Sequence, residues 1–251
     1  MTETMSPPAG QAVLAKVRKL LAKAEDPGCT AAEAAALNDK AAELIAKYGV
    51  DRALLAAGSP DSDPVGDRVV AVDPPYALDK AGLLAAVAFA LRCRTVRRKV
   101  WAGGGYAYTY TMHMFGCASD LERTELLYTS LLVQASYGLA AAPVPQWEPV
   151  ATFRRSWLAG FTEAVGRRLR EAERRATAQA QAPSTGPSMD LVLADRGDRV
   201  ARRVAEVYPR LATSQPRRLM GSGVGDGYAA GQRADLGGSR LARRMAGRLG
   251  L

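Results

Sequence analysis

Two runs rich in β-branched and aromatic residues, Cys93 to Val100 and Tyr106 to Phe115, most constrain how this chain can fold. Such residues suit a pleated surface. Between them lies Trp101-Ala102-Gly103-Gly104-Gly105, whose glycines supply the positive φ that a chain reversal needs. The pattern predicts a β-hairpin. Directly after it, Ser119 and Glu122 have capping-box spacing ahead of Leu121, Leu126, Leu127, Leu131, Leu132 and Leu139. A long helix is expected there, with the hairpin lying on it.

Helical periodicity dominates the rest. Val13, Leu14, Val17, Leu20, Leu21 and Ala24 recur at helical spacing, and Asp26-Pro27-Gly28 ends that segment. Thr30 and Glu33 form a second capping box before Leu37, Ala41, Leu44, Ile45 and Tyr48, with Gly49 expected as the C-cap. Asp79 is expected to cap a helix through Leu83, Leu84, Val87 and Leu91. From about residue 151, Phe153, Trp157, Leu158, Phe161, Val165 and Leu169 form one apolar stripe. Gly-, Pro- and Asp-rich residues 59–75 are expected as a linker. The fold class is therefore α+β and mostly helical. The expected units are an N-terminal helical hairpin (1–58), the linker (59–75), and a domain (76–251) with a central two-stranded β-hairpin packed on helices and a basic C-terminal helical region.

The segment Lys16-Val17-Arg18-Lys19-Leu20-Leu21-Ala22-Lys23-Ala24 is followed by Thr30-Ala31-Ala32-Glu33-Ala34-Ala35 and then by Ala41 to Val50. In this order they resemble domain-of-unknown-function family 2786, many of whose members are bacterial or phage proteins. Further along, Gly116 to Asp120 (G-x-x-x-D) enters a long helix, and a Gly/Ala-spaced segment closes the chain. Both look like the region that commonly accompanies the family's hairpin. The resemblance implies a shared fold and a phage or mobile-element setting. It implies no activity and transfers no catalytic residue.

Charge gives the functional lead. The net charge of the 251 residues is +9, and residues 151–251 hold 19 arginines, no lysine and 9 acids, so the whole excess lies there. Such asymmetry points to a polyanion, most simply nucleic acid. Arginine suits phosphate because its planar fork binds two oxygens at once. Tyr106, Tyr108 and Tyr110 alternate and so share a strand face, while Arg94, Arg97, Arg98 and Lys99 lie on the facing strand. Aromatic planes with cations match single-stranded bases and phosphates. A second candidate is the loop with Arg210, Arg217 and Arg218 before Gly221, Gly223, Gly225 and Gly227, where glycines would let backbone N–H groups approach phosphate. It lacks the lysine and spacing of a P-loop.

The leading expectation is non-enzymatic nucleic-acid binding, to DNA or RNA, with no cofactor and no membrane span. One alternative is a protein-interaction module whose arginines only solvate its surface. Another is a thiol- or metal-dependent hydrolase around His113 and Cys117, four residues apart at a strand end and helix start. Cys29, Cys93 and Cys117 are an odd number, widely spaced, without the C-x-x-C pairs of a structural zinc site. They read as buried reduced thiols. With no charged start or apolar core of a signal peptide at the beginning of the chain, a cytoplasmic location is expected.

Overall fold

The computed structural model describes residues 13, 17, 19, 20, 31–101, 108–180, 188–212, 217–234 and 236. Among these, six helices surround a three-stranded sheet. In chain order they are α1 (Ala31–Gly58), β1 (Val65–Val72), α2 (Ala77–Ala90), β2 (Arg94–Trp101) and β3 (Tyr108–Cys117). They continue with α3 (Ala118–Ala141), α4 (Val150–Gln179), α5 (Met189–Val207) and α6 (Val224–Gln232). The protein is α+β and mostly helical.

The expected hairpin is present as β2 and β3, with Trp101 opposite Tyr108 and Lys99 opposite Tyr110. It is not two-stranded. β1, within the residues expected as a linker, pairs antiparallel with the other edge of β3, from Val65 opposite Cys117 to Val72 opposite Tyr110. The order is β1-β3-β2. β1 and β2 thus run parallel on either side of β3, and successive parallel strands of one sheet need a crossover connection. α2 provides it, running back along the sheet from the end of β1 to the start of β2.

Period-two alternation divides the sheet's faces. Met112 and Met114 share the main core with Leu83, Leu84 and Val87 of α2 and Leu121, Leu127 and Leu131 of α3. On the opposite face His113, Phe115 and Cys117 are buried. There α5 crosses the sheet, and Tyr208 just beyond it meets Phe115 and His113 edge-on at 6.0 and 5.6 Å between ring centroids. The predicted stripe of α4 is buried throughout. Val17 and Ile45 belong to this same core, so Val17 and α1 pack on the sheet-bearing part of the chain. The turn at residues 26–30, with Thr30, lies outside the described residues.

Three local expectations change for physical reasons. Gly49 does not end its helix, which continues to Gly58. Its missing side chain makes room for Arg123: a Cβ at Gly49 would stand 1.9 Å from Arg123 Nη1. The Ser119–Glu122 box does not form, because the helix begins at Ala118 and Ser119 lies inside its first turn. Asp63 caps it from outside, accepting from the Ser119 backbone N–H at 2.9 Å and from Ser119 Oγ at 2.6 Å. The glycines after Arg218 are mostly helix contacts. Gly223, Gly227 and Gly231 repeat every fourth residue along α6 and lie on α4, where a Cβ at Gly227 would be 1.8 Å from the Trp157 carbonyl oxygen.

Candidate nucleic-acid interface

Burial along β3 rises from its hairpin end to its helix end, with Tyr108 and Thr109 exposed, Tyr110 and Thr111 half-buried, and Met112 to Cys117 buried. The helices cover the base of the sheet and leave its tip in water. At that tip Tyr108 meets Trp101 edge-to-face, with ring centroids 4.8 Å apart and planes at 80°. Lys99 Nζ sits 3.5 Å from the centre of the Tyr108 ring, a cation–π contact. Trp101 and Tyr108 remain 53% and 46% exposed.

The predicted cations divide between the two faces. The register puts Lys99 and Arg97 on the face of Tyr108 and Tyr110, and Arg94 and Arg98 on the other. All four are exposed. Tyr106 lies outside the described residues. β2 is an edge strand, and charges along such an edge also block pairing with another chain. A signal for this region was present in the sequence: no acid occurs from Lys80 to Ser119, while Lys80, Arg92, Arg94, Arg97, Arg98 and Lys99 do.

The Arg217–Arg218 loop is anchored on α2. Arg217 pairs with Asp79 in the first turn of α2. Arg218 is exposed. Beyond it, Gly221, Gly223, Gly227 and Gly231 lie against backbone carbonyls of α4, while Gly225 faces open space. The anion position at the start of α6 is already taken by the buried Glu148 carboxylate, which accepts from the Ser222 N–H at 3.1 Å. A carboxylate already standing at a helix start repels a second anion there.

Several C-terminal arginines have partners within the protein. Arg168 donates to the carbonyls of Gly231 and Ala234. Arg174 and Arg175 both pair with Glu171. The largest group is internal. Arg123, wholly buried, donates to Asp120 Oδ1 at 2.8 Å and pairs with Glu173, which also takes Arg92. Arg196 donates to Asp63 Oδ2 at 2.8 Å and Asp120 Oδ2 at 3.0 Å. Burial alone would lower the Arg123 and Arg196 pKa values, but the carboxylates around them raise both. Burial would likewise raise that of Asp63, yet the Ser119 hydrogen bonds and Arg196 together hold it below the ordinary carboxylate value. This cluster links α3, α4, α5, the turn before β1 and the α2–β2 junction.

His113 and Cys117 are not a dyad. They point to one face of β3 with Phe115 between them, roughly 13 Å apart along the strand. His113 Nε2 lies 2.8 Å from Asp67 Oδ2 and Nδ1 lies 2.8 Å from the Tyr208 hydroxyl, so both ring nitrogens are engaged. The bond from His113 holds the Asp67 carboxyl below its usual value. Burial pushes the Cys117 thiol up to about 11 and the Cys93 thiol to about 12, against the lowering expected of a helix start. Among the described residues no group of three or more His, Cys, Asp and Glu side chains is placed to hold a metal ion. No described helix is long and apolar enough to cross a membrane.

Fold and surface together define a mostly helical α+β protein with an arginine–carboxylate cluster inside and a cationic, aromatic hairpin tip outside. Residues 12–52 match the family described as a protein of unknown function (DUF2786), the family that the N-terminal segment resembles. No curated protein and no solved structure matches the chain. The family match ends before β1, so the sheet and its tip lie outside it.

Proposed function

We propose that the protein binds nucleic acid without catalysing a reaction on it, through the tip of the β2–β3 hairpin. The observation that carries this reading is the exposed Trp101–Tyr108 pair under Lys99, with Arg97 on the same face, Arg94 and Arg98 on the other, and no acid on either strand. Exposed aromatic planes stack on bases of any sequence, and the surrounding cations take the phosphates. Single strands suit the site better than duplex, whose bases already stack on one another. Arg217, tied to Asp79, supports the fold near the start of α2, and Arg218 adds charge. Free, buried Cys93 and Cys117 suit a reducing, cytoplasmic compartment. A phage or mobile-element setting rests on the family resemblance.

The test is fluorescence anisotropy with labelled single- and double-stranded DNA and RNA across a salt series. Affinity should fall linearly with the logarithm of salt concentration. Trp101→Ala with Tyr108→Ala should weaken single-strand binding by about tenfold or more, since each stacked base contributes roughly 1–3 kcal/mol. Arg98→Glu should lower affinity and reduce the salt slope. Salt-independent affinity, or variants that bind like the wild type, would refute the reading.

A further inference from the structure

A second surface stands on different residues. The segment between α3 and α4 and the segment before α6 are joined where Glu148 accepts from the backbone N–H and the hydroxyl of Ser222. Gly221 and Gly223 fix the contact: a Cβ there would stand 2.5 Å from the Thr152 carbonyl and 2.6 Å from the Phe153 carbonyl. This clamp brings together two segments carrying Trp147, Val150, Met220 and Val224. All four are exposed, Trp147 at 76% and Met220 at 93%. They sit on backbone held by a buried carboxylate and close glycine contacts, so their exposure belongs to an ordered surface.

From this arrangement we infer that the Trp147–Met220 surface docks an acidic, amphipathic segment of another protein. Charge complementarity names the partner. Residues 143–162 contain a single acid, Glu148, already engaged in the clamp, and residues 209–225 contain none. Arg155, Arg210, Arg217 and Arg218 are the exposed charges on these segments, with Arg217 already paired to Asp79. Tryptophan, methionine and arginine are the residue types enriched in protein interfaces, and tryptophan anchors binding most often. Met220, Val150 and Val224 offer no plane for a base, which favours an apolar protein anchor over a nucleotide. A second copy of this chain would set Arg155 and Arg218 against their own kind.

The test is selection of peptides from a displayed random library on the full folded protein, followed by affinity measurement of the enriched sequences. Enriched peptides should be rich in Asp and Glu around one or two large apolar residues. They should lose about tenfold or more in affinity to Trp147→Ala and to Met220→Asp. Both positions are exposed, so circular dichroism should show both variants folded, and their nucleic-acid binding should equal that of the wild type. No enrichment, enrichment of basic or neutral peptides, or equal binding to both variants would overturn the inference. So would vesicles of anionic phospholipid, or a concentration-dependent dimer, that lose their hold in these variants while acidic peptides fail to bind.

Discussion

Replacing Gly49 with alanine sets two effects of opposite sign against each other. In the interior of a helix, alanine is more favourable than glycine by about 1 kcal/mol. Gly49 lies well inside the 28-residue α1, so helix propensity alone predicts stabilisation. The new methyl, however, would lie 1.9 Å from Arg123 Nη1 and 2.4 Å from Arg123 Cζ, far inside any real contact distance. The guanidinium would have to move, and it is wholly buried while holding Asp120 and Glu173. Breaking a buried ion pair typically costs about 3–5 kcal/mol, which outweighs the propensity gain and leaves a net loss of roughly 2–4 kcal/mol. For a chain of this size the melting temperature should fall by about 5–15 °C. Urea denaturation of the wild type, Gly49→Ala, Arg123→Ala and the double variant closes the cycle. In the Arg123→Ala background the alanine should become neutral or stabilising. Stabilisation by Gly49→Ala in the wild type would refute the placement of Arg123 over α1.

Two further outcomes follow from the buried groups. At about pH 8, Cys93 and Cys117 should react with a thiol reagent only as fast as the protein unfolds, because both thiols are buried and their pKa values are raised; rapid labelling of Cys117 in the folded protein would contradict this. The Asp63 carboxyl titrates lower in the folded than in the unfolded chain, so its stabilising contribution is complete above the unfolded value of about 4 and fades as pH falls through the folded value. Asp63→Asn should destabilise the protein by about 2–4 kcal/mol at neutral pH and flatten the fall in stability below about pH 4, and an unchanged acid limb in chemical denaturation would count against the cap.

The elements legible in the sequence are those stabilised by near neighbours. The β2–β3 hairpin needs only its own two runs and the glycines between them, and the α4 stripe is periodic over five turns. β1 was hidden because its partner β3 lies about forty residues further on and its flanking Gly, Pro and Asp suggest a linker. The start of α3 was misread for a related reason: its cap, Asp63, comes from 56 residues away, and Ser119 and Glu122 only imitate a local one. The repeat Gly223, Gly227, Gly231 was visible, but its meaning depends on the facing α4 backbone. Tyr108, Lys99 and Trp101 were found together because strand register alone aligns them. Trp147 was missed as a surface residue, since nothing in an aromatic residue's neighbours announces that it will stay in water.

The interior cluster also determines what the protein looks like electrically from a distance. Arg92, Arg123 and Arg196 are matched one for one by Asp63, Asp120 and Glu173. Six formal charges therefore cancel within the core, and none of the chain's +9 is neutralised by being there. An approaching polyanion meets the whole of that excess as a long-range attraction, which accelerates encounter and weakens as salt shortens its reach. The arginines that hold the core together thus leave unchanged the net field that would draw a polyanion to the protein.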